Sequence, residues 1–188
     1  VVGDVTGHGV GAALLMATAR ALIRGLVSQP RDLAGCITRV NTFLAADVRQ
    51  TGRFMSLFFL MLEAGSPTIR WVRAGHDPAI LYNPKTDRFE ELLGPGMVLG
   101  VEEEYSYQQV EKTIEAVGTI ILIGTDGVWE AHNGEGDMFG KKRLYEIIRT
   151  NADKSAEEIQ NGVLDAISRF RGPAPQEDDI TLVVIKVL

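Results

Sequence analysis

Gly3-Asp4-Val5-Thr6-Gly7-His8-Gly9-Val10-Gly11-Ala12 joins an apolar pair, Val1-Val2, to a stretch rich in Ala, Leu and Met. The pair reads as the end of a buried strand and Val10–Val27 as a helix, so the glycines mark a tight turn between them. Two readings of that turn compete. Gly7-x-Gly9-x-x-Ala12 matches a dinucleotide fingerprint, but the fingerprint needs a second parallel strand ending in an acidic residue about 20 positions on. Here Asp32 instead opens another helix. In the other reading, Asp4 is a carboxylate at a strand end beside a flexible turn that exposes backbone carbonyls, the oxygen environment that hard divalent cations seek. Asp4 could equally serve as the N-cap of the helix.

Pro30 closes the first helix, and Asp32 caps a second that runs to about Arg49, with Leu33, Ile37, Val40 and Leu44 on one face. The period then changes. Phe54–Glu63 and Thr68–Ala74 are strand-like around Ala64-Gly65-Ser66-Pro67, which predicts an antiparallel hairpin. Ala79–Tyr82, Phe89–Leu92, Tyr105–Lys112 and Thr119–Gly124 continue as short strands. Helical spacing returns in Lys141–Arg149 and Ala156–Phe170, the latter behind a capping box of Ser155 and Glu158. Ile180–Val187 is β-branched and too apolar for a sheet edge, so it is expected as a buried central strand. Helix pair, strand meander, helix pair and strand predict an α+β fold of antiparallel sheet covered by helices.

The chain has 188 residues, the size of one domain on a scale of roughly 100–200 residues each. Its net charge of −6 and lack of a dense Lys/Arg block argue against a nucleic-acid partner. No apolar run approaches the roughly 18–20 residues of a membrane span. Cys36 is the single cysteine, which excludes an internal disulfide and suits a reducing, cytoplasmic setting.

Asp126 repeats the geometry of Asp4, because the buried strand Thr119–Gly124 delivers Thr125-Asp126-Gly127 into a turn before Val128-Trp129-Glu130. A third acidic strand end is Glu177-Asp178-Asp179-Ile180-Thr181. Each alone is commonplace, since Asp favours turns. Together they have a joint explanation in carboxylates shared by bound cations, without which like charges brought close would repel. Oxygen ligands with no paired His or Cys favour Mn²⁺ or Mg²⁺ over zinc. No P-loop and no Gly-x-Ser-x-Gly elbow is present, and Cys36 has no activating neighbours.

Asp4-Val-Thr-Gly-His-Gly, Ala74-Gly-His-Asp-Pro78, Gly124-Thr-Asp-Gly-Val-Trp-Glu130 and Asp178-Asp-Ile-Thr-Leu182, in this order, resemble the SpoIIE/RsbU-like bacterial branch of the metal-dependent protein phosphatase 2C family. The resemblance spans almost the whole chain. It implies a four-layer α/β/β/α sandwich, two antiparallel sheets flanked by helices, in a single phosphatase-like domain over 1–188 whose N-terminal strands are missing. It further implies Asp4 as a carboxylate between two metals, the Val5 carbonyl as a neighbouring ligand, and Asp126 and Asp178 completing one shell. Asp179 is the second candidate of its pair. The family supplies another metal-binding Asp upstream of the Asp4 motif, and this chain begins three residues before Asp4, so the implied site is incomplete as written.

The activity implied is hydrolysis of a phosphoserine or phosphothreonine monoester on a regulatory protein by metal-activated water, with two ions, Mn²⁺ or Mg²⁺, in the complete domain. Asp4 and Asp126 are then catalytic, and His8 is a candidate general acid, its competing role being to stabilise the turn. The resemblance implies a phosphorylated protein substrate, typically a regulator that controls an anti-sigma factor (an antagonist in a partner-switching pathway), and an upstream sensory or receiver domain. It admits a homodimer. The two helices after Asp4 would transmit the signal. A pseudophosphatase or phosphoprotein-docking module stands as the alternative, and a small-molecule phosphohydrolase as a third reading. Phe54, Met55, Phe58, Phe59 and Met61 are expected in the sheet core, His76 in a loop it stabilises by hydrogen bonding, and His132 in solvent.

Overall fold

The computed structural model describes residues 1–26, 32–114 and 116–188, so Val27 and Pro30 lie outside the described residues. The elements run β1 (Val2–Val5), α1 (Val10–Leu26), α2 (Leu33–Val48), β2 (Met55–Leu62), β3 (Thr68–Ala74), β4 (Ala79–Asn83), β5 (Arg88–Leu92), β6 (Val110–Thr113), β7 (Ile120–Gly124), α3 (Gly140–Thr150), α4 (Ala156–Arg171) and β8 (Leu182–Lys186). The fold is α+β, with two antiparallel four-stranded sheets and four helices. The chain forms two compact units, one of 1–76 with 93–114 and one of 77–92 with 115–188. No helix among the described residues is long and apolar enough to cross a membrane.

In the first unit the strand order is β1-β2-β3-β6. The hairpin of β2 and β3 pairs Phe59 with Val72 and Leu62 with Ile69. Strand alternation sends Met55, Leu57 and Phe59 to one face, where they meet Leu15, Ala19 and Ile23 of α1 and Ile37, Val40 and Leu44 of α2. Burying each of the larger of these side chains stabilises by roughly 1.5–3 kcal/mol. Asp32 caps α2 through the Gly35 N–H at 2.7 Å, as expected. Cys36 is buried on that helix, and burial raises its thiol pKa above the usual value. Met55, Phe58 and Phe59 are core residues and Met61 packs against the core, whereas Phe54 is exposed.

The strand expected over Tyr105–Lys112 is confined to β6. The preceding backbone is instead satisfied by side chains of α2. Fully buried Asn41 donates from Nδ2 to the Glu102 carbonyl at 2.7 Å and accepts the Gly100 N–H at 2.9 Å. Thr38 Oγ1 accepts the Tyr107 N–H at 3.1 Å, and the buried Tyr107 hydroxyl donates to the Met97 carbonyl at 2.9 Å. With these partners in place the segment has no need of a ladder.

The second unit has strand order β5-β4-β7-β8, with Ile80, Ile120 and Leu122 meeting Leu144 and Ile148 of α3 and Ile159, Val163 and Ile167 of α4. The capping box at Ser155 is present. At the β4–β5 turn Asp87 has φ of 51°, a conformation Asp tolerates. There it accepts from Arg149 at 2.7 Å and from the Tyr82 hydroxyl at 3.1 Å. The Arg149 bond, then the Tyr82 bond, hold the Asp87 carboxyl below its ordinary range.

One expectation is corrected here. Among the described residues the closing strand, β8, stands at the edge of its sheet, paired with β7. Its apolar character is explained by α4, since Gln160 donates to the Leu182 carbonyl at 2.9 Å and Val184 packs into the helix-covered core. Lys186 reaches the Ala152 carbonyl at 2.8 Å, and a lysine blunts an edge strand against further pairing.

Candidate functional site

In the first unit, Asp4 and Val5 end β1 and His8 follows in the turn. Thr6 clamps that turn: its N–H and hydroxyl both donate to the Phe54 carbonyl, at 3.0 and 3.1 Å, and its Oγ1 accepts the Phe54 N–H at 3.0 Å. Gly7 and Gly9 adopt φ of 78° and 81°, which an L side chain resists. Helix α1 begins at Val10, preceded by Gly9, so Asp4 is a strand residue and not its N-cap. The Val5 side chain is in the core, leaving its carbonyl as the only ligating group. His8 is exposed between the two glycines. At Gly11 a Cβ would stand 2.8 Å from the Arg53 guanidinium, so this glycine admits a cationic side chain beside the start of α1.

In the second unit, β7 ends at Gly124 and Asp126 opens a short 3₁₀ turn over Asp126–Val128. The Asp126 carbonyl accepts the N–H groups of Trp129 and Glu130 at 3.0 and 2.8 Å, and its carboxylate Oδ1 accepts the Gly127 N–H at 3.1 Å. The Asp178-Asp179 segment lies against this turn. Thr125 Oγ1 donates to the Asp179 carbonyl at 2.9 Å and accepts the Thr181 N–H at 3.0 Å. A Cβ on Gly127 would stand 2.5 Å from the Asp179 carbonyl oxygen, so only glycine permits this approach. Asp178 Oδ1 accepts the Asp179 N–H at 2.7 Å.

A cavity of about 200 Å³ adjoins the turn, lined in part by Gly127, Glu130, His132, Arg171, Glu177 and Asp178. The His132 side chain is partly open to solvent, with Nδ1 3.1 Å from Glu177. Arg171 was not singled out from sequence. Its Nε is buried and without a hydrogen-bond partner among the described residues, a property that only packing creates.

The structure thus gathers Asp4, Val5 and His8 at one turn of the first unit, and Asp126, Asp178 and Asp179 at one junction of the second. Among the described residues no group of three or more His, Cys, Asp or Glu side chains is placed to hold a metal ion. The candidate donors are oxygen throughout, the chemistry that a hard divalent cation takes. Mg²⁺ in particular is usually held by one or two carboxylates, with water and substrate phosphate filling the shell.

A family model described as stage II sporulation protein E (SpoIIE) matches residues 1–188. Phosphoserine phosphatase RsbU of Bacillus subtilis (strain 168) is 25% identical over 185 residues, covering 98% of this chain and 54% of RsbU. The chain therefore spans about half the length of that relative. Among solved structures, the SiaA-PP2C domain of Pseudomonas aeruginosa is similar with a TM-score of 0.85 at 22% identity, over 99% of this chain and 74% of that one. RsbX in complex with magnesium has a TM-score of 0.68 at 19% identity, over 99% and 79%. At such identities the structures speak to the fold. With the family model matching from end to end, the chain belongs to the SpoIIE family, the SpoIIE/RsbU-like branch of protein phosphatase 2C.

Proposed function

We propose that the chain is a metal-dependent serine/threonine protein phosphatase that hydrolyses a phosphate monoester on a regulatory protein. The observation that carries this reading is the lock between the Asp126 turn and the Asp178 segment, made by Thr125 and by the glycine at 127. The name of RsbU, a phosphoserine phosphatase matched over 98% of this chain, supports the reaction class. The magnesium complex of RsbX supports the choice of ion.

On this reading Asp4, the Val5 carbonyl, Asp126 and Asp178 are ligands for Mn²⁺ or Mg²⁺, two ions in the complete domain, with Asp179 an auxiliary carboxylate. When bound, such ions supply positive charge that acidifies an attacking water and offsets the charge of the phosphoryl oxygens. The chain's own residues do the positioning. Thr125 fixes the Asp178 segment, and the Gly127 N–H orients the Asp126 carboxylate. His8, exposed on the Asp4 turn, is the candidate to protonate the leaving alkoxide. The substrate is a phosphorylated regulator such as an anti-sigma factor antagonist in the cytoplasm. An adjoining sensory or receiver domain would act through α1 and α2, which run directly on from the Asp4 turn.

The test is phosphate release from a phosphoserine protein in Mn²⁺, Mg²⁺ and chelator. Asp126→Asn should abolish release, a loss beyond the roughly 10–100-fold seen for partners outside the ligand shell, with the unfolding midpoint retained. Full activity in that variant removes Asp126 from the reaction. A docking module without turnover is the second reading, favoured by the lack of a three-side-chain metal group among the described residues. It predicts phosphopeptide binding with no release at any ion concentration.

A further inference from the structure

Across the first sheet from Asp4 stands a polar pair to which the proposed reaction assigns no part. The β1–β2 register sets Asp4 directly opposite Ser56, and such partners share a face with Cβ atoms about 4.5–5.5 Å apart. The face is the one turned away from the helices, because the flanking Val5, Met55 and Leu57 belong to the helix-covered core. Ser56 Oγ lies 2.8 Å from Nδ1 of His76, which is 3% exposed.

The His76 loop is built to hold that imidazole in place. Arg73 donates from Nε to the His76 carbonyl, and the Gly75 N–H donates to the Gly96 carbonyl at 3.2 Å. Gly75 has φ of 65°, and a Cβ there would stand 2.3 Å from the Val98 side chain. A loop so fitted cannot drift and carry the ring away from Ser56.

We infer that Ser56 and His76 are positioning residues for Asp4, an inference that rests on the metal-phosphatase reading above. A serine hydroxyl has one proton and two lone pairs. With its proton on Nδ1, His76 donates to Ser56 Oγ, and the serine O–H is left to donate on the face where the Asp4 carboxylate stands. The opposite tautomer would draw the serine proton to Nδ1 and turn only lone pairs toward a carboxylate. Hydrogen bonds from such partners fix a ligating carboxylate's orientation and tune its affinity. His76 acts through Ser56.

The test titrates Mn²⁺ into the intact protein by calorimetry, with Ser56→Thr and Ser56→Val compared. Both replacements suit a strand and differ only in the hydroxyl. Ser56→Thr should bind within about twofold of wild type and Ser56→Val about 10–100-fold more weakly, with equal unfolding midpoints in chelator. A Ser56→Val protein that binds Mn²⁺ as wild type does overturns the inference. In ¹⁵N NMR, the His76 Nδ1 should carry its proton, and an Nδ1 without one overturns it as well. Wild-type protein that neither binds Mn²⁺ nor releases phosphate sinks the phosphatase reading and this role together. Binding and turnover in wild type with no effect of Ser56→Val sinks the positioning role alone.

Discussion

Thr125 and Thr181 are cross-linked twice: the Thr125 N–H donates to the Thr181 carbonyl at 3.1 Å, and the Thr181 N–H donates to Thr125 Oγ1 at 3.0 Å. The second bond depends on a side chain that also reaches Asp179. Thr125→Val keeps the shape and deletes the hydroxyl. Because Asp179 and Thr181 are exposed, water can replace the lost partner, and the cost should be about 1 kcal/mol, the low end for a deleted hydrogen bond. Urea unfolding measures it, and Mn²⁺ affinity should fall with it if Asp178 is a ligand.

Gly127→Ala inserts a methyl 2.5 Å from a backbone carbonyl, so the turn and the Asp179 segment must part. Overpacking of this kind costs about 1–3 kcal/mol, and phosphate release should drop with it. Gly134→Ala is the control, since nothing lies within 4 Å of its would-be Cβ and its φ is not left-handed. Equal behaviour of the two variants would remove the close approach from the argument.

Asn41→Leu strips the side-chain partner from the half-buried Gly100 N–H, while the Glu102 carbonyl keeps the Tyr105 N–H at 3.2 Å. An unsatisfied buried group costs about 1–3 kcal/mol. Hydrogen exchange should show the 100–107 segment opening while α3 and α4 keep their protection.

The capping box sets a pH dependence. The Ser155 backbone N–H, then its hydroxyl, hold the Glu158 carboxyl below its ordinary 4.5. A pKa depressed by folding contributes stability that is present above the unfolded value and lost as pH falls through the folded one. Glu158→Gln should therefore unfold at a lower temperature than wild type at pH 7, and the gap should close below about pH 4.5. A gap that persists in acid would mean the charge is not what the cap uses.

Periodicity and turn chemistry made much of this architecture readable in advance. The β2–β3 hairpin, the Asp32 cap and the Ser155 box arise from neighbours in sequence, so local residues suffice to predict them. Edge or centre is another matter: β8 looks central because its apolar side chains do pack, yet they pack on α4, and nothing within Ile180–Val187 says which strands lie beside it. Tyr105–Lys112 misleads for a related reason, since Thr38, 69 positions away, takes up the Tyr107 N–H, and Asn41 holds the Glu102 carbonyl just before the segment. Acidic strand ends could be found from the turns they precede. The Thr125 bridge, the buried His76 ring and the Arg171 Nε, without a partner among the described residues, depend on long-range packing and left no local signal.

Cys36 gives α2 a built-in stopwatch. Its sulfur is shielded and its thiolate disfavoured by burial, so a disulfide reagent can react at speed only after the packing around α2 opens. As no other thiol exists in the sequence, the labelling rate reads the local opening frequency around that one residue, with no engineered tag required.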